Sequence, residues 1–350
     1  MGDNASTDGS VEFVRNEYPS VKIIENDKNY GFTGGYNRVL EHVEADYFIL
    51  LNSDVEVFPG WIAPVINLME SDPLIAVAAP KIKSFLQKDY FEHAGAAGGF
   101  IDKFGYPFCR GRVFYEIEQD LGQYQQSGEV FWASGAAMFI KKHCWEEAGG
   151  FDESFFAHME EIDLCWRLKN IGYKVMYCAQ SEVFHLGGGT LNAENPFKTY
   201  LNFRNNLLLL KKNLPFFTAL PVIIVRFFMD FMAIFRFLNE GKRKDAWAVS
   251  RAHQYFVMHL FSPKVRKSGS PEEGSQKAEV GSRKSEVGSQ NLEIGSTNPQ
   301  PATHHSQLPT HHSPLTIHHS LKGMYKNSIV YDFFIKKKKH FNELSPSDFI

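Results

Sequence analysis

Four clusters of side chains hold the chemical options of this 350-residue chain. In NSDVEV, Asp54 comes just after the apolar run YFILL. Open α/β sheets place ligands at the ends of such strands. The hard oxygens of an aspartate there suit Mg²⁺ or Mn²⁺ bridged to phosphate; the plainer role is a turn or N-cap. In HMEEIDLCWR, Glu160, Glu161 and Asp163 crowd a helix start, with Arg167 one turn after Asp163. Acids there complement the helix dipole. Beside Phe155 and Phe156, however, burial would raise one carboxyl pKa and suit it to general-base work. In VFHLGGG, His185 ends a strand before three glycines, as a structural imidazole or a ligand. GFTGGYN, Gly31 to Asn37, lets backbone approach a ligand closely, but it matches neither the GxxxxGK[ST] nor the GxGxxG spacing.

The elements that must position these groups alternate. Val21–Ile24 reads as a short strand, and the residues from Tyr36 to Glu44 as a helix. Tyr47–Leu51 reads as a strand buried on both faces. PGWIAPVINLMESDP is a helix bounded by Pro59 and Pro73, and IAVAAPKI another buried strand. This is an α/β layout. Ser84 to Ser127 is irregular, with many glycines and aromatics. VFWASGAAMFIKK reads as strand–turn–strand, and HCWEEAGG as a short helix ending at Gly149–Gly150. HMEEIDLCWRLKNIG is a helix stopped at Gly172, and YKVMYCAQSEVFH gives one or two strands.

Four regions follow: a catalytic domain over 1–199, an apolar helical extension over 200–263, a low-complexity insertion over 264–320 and a basic, apolar end over 321–350. FFTALPVIIVRFFMDFMAIFRFL is interrupted by Arg226, Asp230 and Arg236, and the first two stand four apart, as a helical ion pair requires. The leading reading is an interfacial, membrane-leaning helix pair, ahead of a buried soluble helix and of a true span. The near-repeats within 264–320 predict disorder. Lys336 to Lys339 is a solvated face or a contact for anionic headgroups.

Hydrophobic residues at 43% and charged ones at 22% suit a folded protein, and a formal charge of −3 gives no global case for nucleic-acid binding. The cysteines Cys109, Cys144, Cys165 and Cys178 contain no CxxC pair, which argues against zinc and for buried thiols. The start has no signal-peptide pattern, so the expected location is cytoplasmic, peripheral on the inner face of the membrane if the oily helix docks there.

DNASTDGS, NYGFTGGYN, LLNSDVEV, SGAAMFIKK, GGFDESFFAHMEEIDLCWRLKNIGYKV and VFHLGGGT stand in this order between Gly2 and Leu214. The ordered set resembles the inverting, metal-dependent GT-A glycosyltransferases of family 2, especially the rhamnosyltransferase-like branch. The resemblance implies a GT-A type nucleotide-diphospho-sugar transferase fold, with a mixed, mostly parallel central sheet flanked by helices. The family's first strand and helix precede its DNASTDGS-like loop. A chain without them is N-terminally truncated and would leave an apolar sheet edge exposed beside Val21–Ile24 and Tyr47–Leu51.

By the same resemblance, Asp3 and Asn4 contact the base and ribose. Asn29, Gly31, Phe32, Gly34, Gly35 and Asn37 frame the sugar nucleotide. Asn52, Ser53 and Asp54 form the DxD-type motif, with Asn52 in the first acidic position and Asp54 as ligand to Mg²⁺ or Mn²⁺. His185 completes the metal site. Glu161 is the catalytic base where members usually have Asp, with Asp163 or Glu160 as the alternatives. Trp132, Ser134, Gly135 and Arg167 line the substrate pocket. The implied reaction is inverting sugar transfer from a nucleoside-diphosphate sugar, such as dTDP-rhamnose, to a saccharide or lipid-linked saccharide in cell-surface polysaccharide or lipopolysaccharide synthesis. The alternatives are an inactive truncated remnant and a different nucleotide-binding α/β protein.

Overall fold

The computed structural model describes residues 1–93, 95–187, 195–260 and 321–350. The low-complexity insertion and the glycines Gly188 and Gly189 lie outside the described residues.

In chain order the elements begin with β1 (Gly2–Asp3), α1 (Ser10–Glu17), β2 (Ile24–Glu25), α2 (Gly31–Leu40), β3 (Tyr47–Leu51), β4 (Val55–Glu56), α3 (Ile62–Glu70) and β5 (Ile75–Ser84). Four short strands follow: β6 (Gly99–Asp102), β7 (Pro107–Cys109), β8 (Arg112–Val113) and β9 (Glu116–Ile117). Then come β10 (Gly128–Val130), β11 (Ala137–Lys141), α4 (Lys142–Ala148), α5 (Glu160–Asn170) and β12 (Lys174–His185). Three long helices, α6 (Pro196–Asn213), α7 (Phe216–Asn239) and α8 (Arg243–Met258), precede β13 (Met324–Tyr325) and α9 (Ile329–Phe334).

The central sheet runs β10-β12-β5-β11-β3, with β4 added against the far end of β12. It is mixed, as the sequence leads one to expect. The mostly parallel character is not found, because only β5 and β12 pair in parallel within this sheet. β11 inserts between β3 and β5 and runs against both, so these three strands alternate in direction. β5 is buried through its first eight residues, which accounts for its continuous apolar run.

Three local expectations change. First, β10 and β11 are not a hairpin: β10 pairs with β12, while β11 pairs with β3 and β5. Second, the irregular stretch after Ser84 contains β6 to β9, which form a second sheet with β13. Strands of two to four residues completed by a partner over two hundred residues away carry no local signal. Third, α2 begins at Gly31, inside the glycine-rich stretch. Glycine is a poor helix former, but packing requires it here. Gly31 has φ +72°, and a Cβ there would lie 2.5 Å from the Phe156 ring.

β1 and β2 pair in parallel as a separate two-stranded sheet, so Ile24 does have a neighbour, in Gly2. β3 ladders with β11. All four cysteines are free and buried, as expected.

Candidate active site

The β3–β4 connection places Asp54. β4 runs antiparallel to the last residues of β12, with Val55 opposite His185, and Leu186 N–H donates to the Asp54 carbonyl at 3.0 Å. His185 Nε2 therefore lies 3.2 Å from Asp54 Oδ1. On the other side of the ring, Glu92 Oε2 stands 3.4 Å from Nδ1, close enough to pair electrostatically but without hydrogen-bond geometry. Burial disfavours the imidazolium, yet Glu92 and then Asp54 outweigh that, and the His185 pKa is raised above 6.5.

Asp54 and His185 fit a divalent cation by donor type, since carboxylate oxygen and imidazole nitrogen together suit Mn²⁺ and tolerate Mg²⁺. Among the described residues no three His, Cys, Asp or Glu side chains converge into a cage. Two protein ligands would leave positions for diphosphate oxygens and water. Glu92 is a residue that sequence reasoning missed. It lies beside the imidazole in the place of an outer carboxylate that orients a liganding histidine. Its sequence context, FEH, carries no mark of this role, because the nine-tenths burial of the carboxylate is set by the fold.

The DNAS and NYGF loops form one unit. Asn4 Oδ1 accepts from Tyr30 N at 3.1 Å and from Asn26 Nδ2 at 3.3 Å. Asn4 Nδ2 donates to Asn29 Oδ1 at 3.0 Å and to the Gly31 carbonyl at 2.9 Å. A Cβ on Gly35 would come 3.1 Å from the same amide. Asn4 is thus occupied in joining the loops, and the Asp3 carboxylate accepts from Ser6 N at 3.1 Å, closing a turn. Asn37 is also committed: its side chain bridges Phe151 N and O at 3.0 and 2.9 Å. Phe32 packs on Tyr36 and Phe151 and backs Gly135.

The acidic helix start sorts into separate roles. Asp163 is fully buried. Its carboxylate accepts from Arg167 Nε at 2.7 Å, Lys212 Nζ at 2.8 Å and Asn213 Nδ2 at 2.9 Å. That saturation corrects its candidacy as a base. Arg167 also donates to the Gly150 carbonyl at 2.8 Å and to the Ala148 carbonyl, so it braces a loop and does not face a pocket. Glu160 and Glu161 differ from Asp163, for each has a buried Oε2 without a hydrogen-bond partner. Burial, then the neighbouring Glu161 charge, pushes the Glu160 carboxyl well above the usual range. Burial raises Glu161 to about 7.

The turn before this pair is strained. Phe156, His158 and Met159 have φ of 64°, 68° and 72°, a region that non-glycine residues avoid. α6 holds it there. The Asn205 amide lies within 3.0 Å of the carbonyls of Phe155, Ala157 and His158. Arg204 Nη2 donates to Ser154 and Phe155 carbonyls at 2.9 Å. Both residues are buried. The polar triplet in NFRNN, within an otherwise leucine-rich helix, was the signal for them.

Trp132 and Ser134 are both buried. Trp132 is 4% exposed, donates to the Phe100 carbonyl at 2.8 Å and covers Gly99, so it is core. Ser134 is equally buried, and its Oγ accepts from Ala136 N at 3.3 Å. Asn52 is partly buried and Ser53 exposed beside Asp54.

A mixed sheet flanked by helices, with a paired Asp and His at its edge, defines an α/β protein of the GT-A type. Residues 2–146 match the family model Glycosyl transferase family 2. It is 26% identical over 203 residues to the N-acetylglucosaminyl-diphospho-decaprenol L-rhamnosyltransferase of Mycobacterium tuberculosis, covering 53% of this chain and 65% of that one. It is 24% identical over 212 residues to the low-salt glycan biosynthesis hexosyltransferase Agl10 of Haloferax volcanii, covering 59% and 64%. The chain thus spans under two thirds of the length of these curated relatives. Among solved structures, GalNAc-T7 with UDP, GalNAc and Mn²⁺ aligns with a TM-score of 0.45 and 16% identity over 59% of this chain and 39% of that one. The Pyrobaculum calidifontis mannosyltransferase PcManGT with GDP-Man and Mn²⁺ aligns at 0.41 and 11% over 75% and 66%.

Proposed function

We propose that this chain transfers a sugar from a nucleoside-diphosphate sugar to a hydroxyl of a saccharide or lipid-linked saccharide, inverting the anomeric carbon. The observation that carries this reading is the meeting of Asp54 and His185 at 3.2 Å in a chain whose residues 2–146 match the family-2 glycosyltransferase model. Those two side chains would hold Mg²⁺ or Mn²⁺, and a bound divalent cation would neutralise the departing diphosphate. Asn4, through its four hydrogen bonds, keeps the backbone at Gly31 to Gly35 beside the donor, with Asp3 and Asn29 at its base and ribose. Asn52 and Ser53 flank the diphosphate side.

Glu161 takes the acceptor proton. The acceptor oxygen attacks the anomeric carbon from the face opposite the diphosphate. The bond from that carbon to the phosphate oxygen breaks, and its electron pair leaves on the diphosphate. A carboxyl with a pKa of about 7 is matched to this work at neutral pH. Burial and then the Glu161 charge push the Glu160 carboxyl well above the usual range, which favours its neutral form beside the base. The strained turn, fixed by Arg204 and Asn205, aims the pair.

The similarity to an L-rhamnosyltransferase supports a nucleotide-activated rhamnose, such as dTDP-rhamnose, as the first donor to try. The test is a panel of dTDP-, UDP- and GDP-sugars with Mn²⁺ or Mg²⁺, read as nucleoside diphosphate released. Turnover of one donor that Asp54→Ala abolishes is the expected result. No turnover by folded protein, or turnover indifferent to Asp54→Ala, would overturn the reading.

A further inference from the structure

α7 is built inside out. Between Phe216 and Phe235 it has only two charged residues, Arg226 and Asp230, and both are buried. They pair at 3.1 Å. Arg226 Nη1 also donates to Asn206 Oδ1 at 2.6 Å and to the Phe104 carbonyl at 3.0 Å, and its guanidinium lies over the Tyr106 ring at 3.7 Å. Asp230 accepts from the Tyr106 hydroxyl at 3.2 Å and meets His253 Nε2 at 3.0 Å. The inward face of α7 is therefore pinned by polar contacts to α6, to α8 and to the β6–β7 turn.

The outward face is oil. Phe217, Leu220, Ile224, Phe228, Phe231 and Phe235 are all exposed and recur every three or four residues, a single stripe along the helix. Phe217 is 88% exposed and Phe228 72%. The stripe runs from Phe217 to Phe235, about 27 Å along a helix of 24 residues, and contiguous exposed apolar surface rimmed by polar groups marks an interaction site.

Basic groups border one end of the stripe. Lys242, Arg243 and Lys244 are exposed just after α7. The Arg236 guanidinium lies 5.4 Å from the Phe334 ring, two residues before the run Lys336 to Lys339. Trp247 and Tyr331 are exposed nearby, and such aromatics favour the headgroup level of a bilayer.

We infer that α7 docks in the plane of an anionic lipid bilayer, with its phenylalanine stripe at the headgroup–acyl boundary and the basic cluster on the headgroups. An in-plane position follows from the pinned inward face: crossing the bilayer would carry α6, α8 and the β6–β7 turn into hydrocarbon. The inference stands apart from the transfer reaction and adds a partner to it.

The test mixes the full chain with preformed vesicles of phosphatidylcholine alone or with phosphatidylglycerol, and measures the fraction that floats. Binding to the anionic vesicles, weakened by salt, is expected. Phe217→Ser with Phe228→Ser and Phe235→Ser should reduce it by at least about tenfold with Tm unchanged, since these rings touch water in the free protein. Lys337→Glu with Lys338→Glu should remove the preference for anionic lipid. No binding by the wild-type chain, or equal binding by the serine variant, would overturn the proposal. So would a dimer that the serine variant dissociates while neither form floats, which would make a second copy the occupant. Binding that resists alkaline carbonate would mean insertion across the bilayer, and would overturn the in-plane position.

Discussion

Asp54 Oδ1 and His185 Nε2 stand 3.2 Å apart although 131 residues separate them in the chain. The β4–β12 ladder alone brings them together, and Glu92 then closes on the far side of the imidazole at 3.4 Å. If the two are ligands, Asp54→Ala and His185→Ala should each abolish saturable Mn²⁺ binding, measured by calorimetry. Glu92→Gln should weaken it by roughly 10- to 100-fold, the usual cost of losing an orienting carboxylate. Unaltered affinity in all three would show that the pair is structural.

Glu161 makes two linked predictions. A base with a pKa of about 7 must be ionised to work, so the rate should rise with pH through about 7. Glu161→Gln should lower kcat by about 10²–10⁴-fold while donor affinity stays within a few-fold. The same shift bears on stability. The carboxyl ionises near 4.5 when unfolded and near 7 when folded, so in that window the folded state holds the extra proton. Stability from this group is full below 4.5 and is lost as pH rises through 7. Glu161→Gln should therefore melt higher than wild type at pH 8 and equally at pH 4. A lower Tm at pH 8 would remove the argument that burial shifts this group.

Asn205→Ala leaves the Phe155, Ala157 and His158 carbonyls without their shared donor. A loss of roughly 1–3 kcal/mol is expected, read by urea denaturation. Because the turn carries Glu160 and Glu161, kcat should fall more than donor affinity. A variant equally stable and active would show that the strained turn holds itself.

Arg226→Met alone leaves the buried Asp230 carboxylate with His253 and Tyr106 only. Destabilisation of about 3–5 kcal/mol is expected. Adding Asp230→Leu should recover much of it, because the uncompensated charge is then gone. Failure of the double variant to exceed Arg226→Met in Tm would mean that the pair does more than neutralise itself.

Much of the order of elements was legible locally. Tyr47–Leu51 is a strand at the expected bounds, because five apolar residues between turn formers leave little else to be. α5 runs from Glu160 to Asn170 and stops before Gly172, as its acids and its glycine indicate. The Arg226–Asp230 pair followed from spacing, since residues four apart share a helix face. Pairing was not legible. The partners of β10 and β11, the sheet completed by β13 and the direction of β11 between β3 and β5 depend on contacts distant in sequence.

The candidate site divides along the same line. Residue types fixed which groups were able to do chemistry: a carboxylate after a strand, a histidine before glycines, acids at a helix start. Burial and hydrogen bonding decided what each is free to do. Asp163 and Glu161 lie two residues apart on one helix, yet Asp163 is saturated by Arg167, Lys212 and Asn213, while Glu161 has an oxygen without a partner. The sequence specifies the carboxylates; only the packing of α6 against α5 separates a structural anion from a candidate base, because desolvation and donor supply are properties of the surroundings and not of the residue.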